Sequence, residues 1–182
     1  MLIVFSGYRG SGKDTIGKWL VENHNFKRLA FADAVKTYAS KLCELDPELF
    51  FDISKKDTLI PEFNATPRDI TIHIGQMAKG ISVDIWAKKI AKKIQNDPKQ
   101  DYVITDCRFP IELETMKELG AVSIWIKRSE NIKNEITENS LSEKDCDFML
   151  DNRHTLEDAY EVMLDLIEKK KKNSQNFLIG EL

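Results

Sequence analysis

Short apolar runs recur along the chain and alternate with segments whose apolar residues are spaced as in amphipathic helices. The runs lie at residues 2–6, 27–31, 102–105, 121–126 and, as the weakest of the five, 147–150. Bounded runs of this length are typical of buried strands in a parallel sheet, in which helices cover both faces. The pattern therefore predicts an α/β fold with three layers and a five-stranded parallel sheet.

Helical periodicity fills the intervals between these runs. Apolar residues share one face of a predicted helix over 12–23, and Thr66 and Pro67 supply the N-cap and first position of a helix that runs toward Gly75. The remaining predicted elements are helices at 33–45, 83–96, 112–119 and 155–172, loops and short turns at 46–66, and a frayed C-terminal tail.

Composition narrows the function classes. The chain has 182 residues, enough for one domain, and its 27 Lys and Arg against 30 Asp and Glu give a net charge of −3. This balance argues against a dedicated nucleic-acid binder and favours small anionic ligands. The three cysteines show no CxxC spacing, and no apolar run reaches membrane-spanning length. We therefore expect a cytoplasmic protein without a disulfide framework, a zinc site or a membrane anchor.

The strongest chemical signal is the segment GYRGSGKDT at residues 7–15, which follows the first apolar run and opens the first predicted helix. Glycines permit positive φ angles, backbone N–H groups of such a loop point at an anion, and the helix N-terminus adds a favourable dipole. The spacing and the lysine predict an ATP phosphate loop rather than a plain connecting turn. Its candidate ATP-binding residues are Gly7, Arg9, Gly10, Ser11, Gly12, Lys13, Asp14 and Thr15, with Lys13 as a catalytic residue that reaches the β- and γ-phosphates.

The residue after the lysine departs from the usual loop, in which Ser or Thr binds Mg²⁺. Here Asp14 stands at that position and Thr15 follows. Nucleoside monophosphate kinases of the adenylate kinase type, which this loop resembles, also replace that hydroxyl residue, there by glycine before threonine. We therefore expect a kinase rather than a GTPase, with Asp14 near Mg²⁺ or its waters and Thr15 near the α-phosphate.

A second cluster of charged residues follows the third apolar run, in the segment TDCRFPIE. Ligands of open α/β sheets gather at the carboxyl ends of strands, so Asp106 is a candidate catalytic and metal-orienting residue. Arg108 is a candidate clamp for a phosphate, since its planar fork can bind two oxygens. An ordinary Asp and Arg pair at a strand end is the alternative. Glu112 is a candidate acceptor contact or a partner of Arg108, and equally a plain first-turn helix acid.

Taken together, GYRGSGKDT, FADAVK, TPRDITIHIGQ, TDCRFPIE, SLSEKD, DFMLDN and TLEDAY span most of the chain in order. This set resembles deoxynucleoside monophosphate kinases of the bacteriophage type. The resemblance implies phosphorylation of a deoxynucleoside monophosphate by ATP and Mg²⁺, and a helical acceptor-binding insertion at about 40–96. It implies acceptor contacts for Lys36, Arg68, Gly75, Gln76 and Trp86 beside Arg108 and Glu112. The alternatives are a solvated Lys36, a surface Arg68 and a Trp86 that only packs in the core.

The polar segment 127–145 is the predicted lid, with Arg128 as the catalytic cation over the γ-phosphate. Asn152 lies where related kinases form a loop beside the adenine, or simply shapes a turn. Two other functions stay open: a kinase for another small acceptor such as phosphomevalonate or dephospho-coenzyme A, and a regulatory protein that binds nucleotide without transferring phosphate. We expect no nucleic-acid or membrane partner, leave a homodimer open, and expect the cytoplasm of a bacterium or phage-infected cell.

Overall fold

The computed structural model of this protein describes residues 1–128 and 140–179. Five strands form one parallel sheet in the order β2-β3-β1-β4-β5. The strands are β1 (Leu2–Ser6), β2 (Phe26–Leu29), β3 (Asp101–Ile104), β4 (Val122–Lys127) and β5 (Phe148–Asp151). The predicted α/β class and the five-stranded parallel sheet are confirmed.

Helices cover both faces of this sheet. They are α1 (Lys13–His24), α2 (Phe31–Leu42), α3 (Glu48–Phe51), α4 (Pro67–Lys79), α5 (Ile85–Gln95), α6 (Pro110–Glu118) and α7 (Leu156–Ile179), with a short 3₁₀ turn at Glu143–Asp145. Apolar residues of α5 and α6 pack on one face of the sheet, and those of α1 and α7 pack on the other. Among the described residues, no helix combines the length and apolar character needed to cross a membrane.

A third apolar core lies within the helical insertion. Val35 and Ala39 of α2 pack there with Ile70 and Ile74 of α4 and with Trp86 of α5. The insertion is therefore built on α2, whose first residues leave the sheet edge directly after β2. This arrangement carries α4 toward the carboxyl ends of the strands.

Four predicted segments differ from the structure for identifiable reasons. The helix predicted at 33–45 begins at Phe31, because the Asp106 carboxylate accepts hydrogen bonds from its first backbone amides, and it ends before Glu44, whose φ is +54°. The predicted loop 46–66 contains α3. α4 continues past Gly75 to Lys79, because Gly75 is an interior residue of the helix and faces Val35 of α2. α7 replaces the predicted frayed tail as far as Ile179, since neither Gly nor Pro interrupts it.

Candidate active site

The loop between β1 and α1 has the backbone that its glycines predict. Gly7, Gly10 and Gly12 have φ angles of 134°, 75° and 102°. A Cβ atom on Gly7 would lie 2.4 Å from the carbonyl oxygen of Ile126, and one on Gly12 would lie 2.3 Å from Nδ2 of Asn152. Glycine is therefore required at positions 7 and 12 by both conformation and space.

Lys13 folds back over this loop. Its Nζ donates hydrogen bonds to the carbonyl oxygens of Gly7 and Tyr8, each at 2.7 Å, and to Oγ of Ser11 at 3.2 Å. The ammonium group is thus held at the mouth of α1, where an anion would also benefit from the helix dipole. Arg9, Asp14 and Thr15 are exposed around the same mouth, whereas Ser11 is buried beneath it.

Strand order brings two further candidate segments to this mouth. β1 lies between β3 and β4, so the residues that follow those strands flank the phosphate loop at the same sheet edge. The Oγ of Ser6 donates to the carbonyl of Cys107 at 3.0 Å, which ties the end of β1 to the segment after β3. Arg108 and Arg128 each follow one of these neighbouring strands and are exposed. Lys13, Arg108 and Arg128 therefore belong to one basic edge.

Asp106 lies at this edge, but its carboxylate is directed to α2. Its Oδ1 accepts from the N–H of Phe31 and its Oδ2 from the N–H of Ala32, both at 2.9 Å. Burial raises the pKa of Asp106, while these two amides favour its anion. Both oxygens accept hydrogen bonds at the start of α2, and the catalytic and metal-orienting role expected of Asp106 stays a prediction. The side chain anchors the insertion to the end of β3.

Glu112 holds the backbone of the segment that carries Arg108. Its Oε2 accepts from the N–H of Arg108 at 2.9 Å and from the N–H of Phe109 at 3.1 Å. The side chain is 8% exposed, and burial, together with the negative charge of Asp106, raises the pKa of Glu112 to about 7 against the effect of the two amides. This geometry favours the first-turn helix acid, which supports the backbone of the Arg108 segment, and the acceptor contact stays a prediction.

The remaining acceptor candidates are spread over the insertion. Lys36 lies 5.3 Å from the ring centroid of Phe51, and exposed Arg68 binds Asp57 through Nε and Nη2 at 2.7 and 3.3 Å. Trp86 is buried, and its indole N–H donates to the carbonyl of Gly75 at 3.1 Å. Core packing is therefore the interpretation of Trp86 that the structure favours. Gln76, beside Gly75, is exposed on α4.

Asn152 supports the phosphate loop from behind. Its side chain is 3% exposed and donates through Nδ2 to the carbonyl of Ser11 at 2.8 Å. This contact positions the phosphate loop, and the adenine contact expected of Asn152 stays a prediction. The predicted lid falls mostly outside the described residues.

The residues that would hold Mg²⁺ fit an ion shared with a nucleotide. Mg²⁺ takes oxygen ligands, keeps several waters and is usually held by one or two carboxylates together with substrate phosphates. Asp14 offers an exposed carboxylate in the first turn of α1, next to the Thr15 hydroxyl. The described residues contain no cluster of three or more His, Cys, Asp or Glu side chains arranged for a metal. The fit is therefore to a nucleotide-bound ion and not to a cage of protein ligands.

Two cations that sequence analysis did not single out lie near this edge. Arg28 donates from Nε to Oγ1 of Thr105 at 3.2 Å and from Nη1 to Asp33 at 2.7 Å. Lys79, the last residue of α4, places its Nζ 3.9 Å from the ring centroid of Phe109. Arg28 stands in a short strand and Lys79 near a helix end, so neither belongs to a recognisable motif.

Comparisons with known proteins identify the family of this chain. The family model for deoxynucleotide monophosphate kinase matches residues 70–163. A protein of Acanthamoeba polyphaga mimivirus, named as a candidate deoxynucleotide monophosphate kinase, is 28% identical over 192 residues, which cover 92% of this chain and 96% of the relative.

Solved structures similar to this chain include two shikimate kinases. The one from Aquifex aeolicus is 16% identical with a TM-score of 0.48, and the alignment covers 93% of this chain and 98% of that one. The one from Bacteroides thetaiotaomicron is 13% identical with a TM-score of 0.42, covering 92% and 98%. The family model matches just over half of the residues, including the segment with Asp106, Arg108 and Glu112. The chain belongs to the deoxynucleotide monophosphate kinase family, and it is a nucleotide kinase with an α/β phosphate-loop fold.

Proposed function

We propose that this protein transfers the γ-phosphoryl group of ATP to a deoxynucleoside monophosphate and releases ADP and the deoxynucleoside diphosphate. The observation that carries the proposal is the juxtaposition of Lys13 and Arg108. The phosphate loop follows β1, the Arg108 segment follows β3, and these two strands are hydrogen-bonded neighbours. Adjacent strands lie about 4.8 Å apart, so a donor on one segment and an acceptor on the other can meet.

The donor side uses the phosphate loop. Backbone amides of residues 7–15 and the N-terminus of α1 bind the triphosphate, and Lys13 moves from the loop carbonyls to the β- and γ-phosphate oxygens. Asp14 would hold Mg²⁺ through water, Thr15 would lie near the α-phosphate, and the ion would neutralise charge on the phosphates. Arg128, at the end of β4, is the proposed cation for the γ-phosphate.

The acceptor side uses Arg108, whose guanidinium can bind two phosphate oxygens. An oxygen of the acceptor phosphate attacks the γ-phosphorus in line, the bond to the β,γ-bridging oxygen breaks, and ADP leaves. A phosphate monoester is largely dianionic at neutral pH, because its second pKa is about 6. The attacking oxygen therefore needs no general base, and the engaged carboxylates of Asp106 and Glu112 are compatible with catalysis by positioning and charge neutralisation.

An acceptor screen tests this proposal. ADP release is measured with ATP, Mg²⁺ and each deoxynucleoside and ribonucleoside monophosphate, and with phosphomevalonate and dephospho-coenzyme A as competing acceptors. We expect turnover that requires a deoxynucleoside monophosphate and is abolished by EDTA. Turnover with phosphomevalonate or dephospho-coenzyme A instead would show that the protein is a kinase for that acceptor. ATP binding without any acceptor-dependent turnover would indicate a regulatory protein.

A further inference from the structure

We infer that Lys79 binds the phosphate of the acceptor nucleotide together with Arg108. The inference rests on the proposed function and adds a residue to its acceptor site. Lys79 is the last residue of α4, and its Nζ lies over the ring of Phe109, which directly follows Arg108. The two cations thus approach the edge of the sheet from different elements, the insertion and the end of β3.

The charge of Lys79 remains available in this position. An aromatic face attracts an ammonium group without neutralising it. Within residues 1–128 and 140–179, no ion pair joins Lys79 to a carboxylate. Its positive charge acts instead on buried Glu112, where it favours the anion whose Oε2 accepts from the N–H of Arg108. Lys79 is therefore in electrostatic range of the Arg108 segment.

The fold directs this end of α4 to the reaction edge. Asp106 fastens the first residues of α2 to the end of β3. A Cβ on Gly75 would lie 3.6 Å from Val35 of α2, and Lys79 follows Gly75 by about one helical turn. The C-terminal half of α4 consequently lies along the first turns of α2, close to the strand ends.

The other cation of α4 is at the wrong end of the helix for this contact. Arg68 is the second residue of α4 and pairs with Asp57. Eleven residues at 1.5 Å per residue put it roughly 16 Å along the axis from Lys79. A single phosphate group beside Phe109 is therefore within reach of Lys79 and far from the backbone of Arg68.

A cation beside the acceptor phosphate would favour the reaction. The acceptor phosphate and the ATP tail are both polyanions, and their repulsion opposes the approach of the attacking oxygen to the γ-phosphorus. Arg108 and Lys79 would offset this repulsion from the acceptor side, as Lys13 does from the donor side. A purely structural Lys79, which only covers Phe109 and complements the helix dipole, would affect stability and not the affinity for phosphate.

The test compares wild type with Lys79→Ala, Lys79→Arg and Lys92→Ala. Lys92 is an exposed lysine of α5 and controls for the loss of one positive charge. We expect Lys79→Ala to raise KM for the acceptor about 10- to 100-fold, the range for loss of one charge-assisted hydrogen bond, with KM for ATP unchanged. Lys79→Arg should restore most of the affinity, and Lys92→Ala should behave as wild type. An unchanged acceptor KM in Lys79→Ala, or equal changes for ATP and acceptor, would overturn the inference.

A binding measurement separates this inference from the proposed function. Calorimetry on the full chain compares dAMP, dGMP, dCMP and dTMP with the matching deoxynucleosides, which lack the phosphate. Lys79→Ala should weaken binding of the monophosphate and leave binding of the deoxynucleoside unchanged. If Lys79→Ala gives this result but the wild type shows no acceptor-dependent turnover, the proposed function alone is contradicted. Equal weakening of both ligands, or no binding of any monophosphate by wild type, would contradict the role of Lys79.

Discussion

Asn152 donates a hydrogen bond from Nδ2 to the carbonyl oxygen of Ser11 across 141 residues of sequence, at 2.8 Å and in the protein interior. Its backbone N–H donates to the carbonyl of Lys127 at 2.7 Å. One residue after β5 thereby joins the end of β4 to the phosphate loop. A buried amide in this position adds to the hydrogen bonds by which Lys13 holds the loop.

Asn152→Asp should damage ATP binding more than Asn152→Ala. In Asn152→Asp, a negatively charged oxygen replaces the N–H donor and repels the Ser11 carbonyl oxygen. In Asn152→Ala, the Ser11 carbonyl only loses its partner, at a cost of about 1–3 kcal/mol in unfolding free energy. We expect a higher KM for ATP with an unchanged KM for the acceptor, measured by initial rates. Asn23→Asp is the control, because Asn23 makes the same kind of bond to the Trp19 carbonyl in solvent. Equal effects at both positions would argue against a specific role in the loop.

Gly12→Ala should be more harmful than Gly10→Ala. Both residues have positive φ angles, but a Cβ on Gly12 meets Asn152 at 2.3 Å, and one on Gly10 meets nothing within 4 Å. Gly10→Ala therefore costs about 1–2 kcal/mol of backbone strain, and Gly12→Ala adds a steric clash that displaces Asn152. Urea unfolding and ATP titration should rank the variants in this order, and the reverse order would show that the loop tolerates displacement of Asn152.

Lys13→Ala and Arg108→Ala should each lower kcat by about 100- to 1,000-fold, the range for removal of one group that stabilises transition-state charge. Lys13 is half-buried and Arg108 is exposed, and neither belongs to an apolar core, so the fold should survive, as circular dichroism can check. Lys18→Ala, an exposed lysine of α1, is the control. Wild-type kcat in either variant would remove that residue from the mechanism.

Glu112 should make the protein less stable as pH rises from about 4.5 to about 7. Its pKa in the native state, about 7, lies above its ordinary value of 4.5, so over this interval the native state holds a proton that the unfolded chain has released. The stabilisation is complete below pH 4.5 and is lost as pH approaches 7. For this buried group it amounts to roughly 3 kcal/mol.

Glu112→Gln removes this dependence. The difference in unfolding free energy between wild type and Glu112→Gln should therefore shift by roughly 2–3 kcal/mol in favour of the variant between pH 5 and pH 8, measured by urea unfolding. Glu114→Gln, at an exposed position of the same helix, is the comparison. A similar shift in Glu114→Gln, or none in Glu112→Gln, would remove Glu112 as the source.

Arg68→Ala and Asp57→Ala should have matching effects if the pair between them is structural. Arg68 is 42% exposed and Asp57 60%, so each variant should change stability little. An acceptor contact by Arg68 predicts a different result: Arg68→Ala raises KM for the acceptor, whereas Asp57→Ala lowers it or leaves it unchanged. Initial-rate kinetics on both variants decides between the two roles.

Much of the fold follows from local patterns that sequence analysis reads correctly. Apolar runs predicted all five strands to within two residues. The run is clearest for β1, β3 and β4, which the sheet buries on both faces, whereas the edge strands β2 and β5 each expose two residues. The N-cap of α4 at Thr66, with Asp69 completing a capping box, was also visible locally. The start of α2 was not, because its capping carboxylate, on Asp106, lies 75 residues away along the chain.

The sequence by itself determined the phosphate loop. Its glycines, its lysine and the strand and helix on either side act within nine residues, so their spacing is enough to specify the backbone. Only the tertiary structure decided what the carboxylates and amides around the loop do. Asp106, Glu112 and Asn152 are polar residues at strand or helix ends, and the same residue types can bind a metal, a substrate or a backbone group there. Packing of distant segments supplied backbone partners to all three, because a polar group that becomes buried requires a hydrogen-bond partner and takes the one that the fold brings within reach.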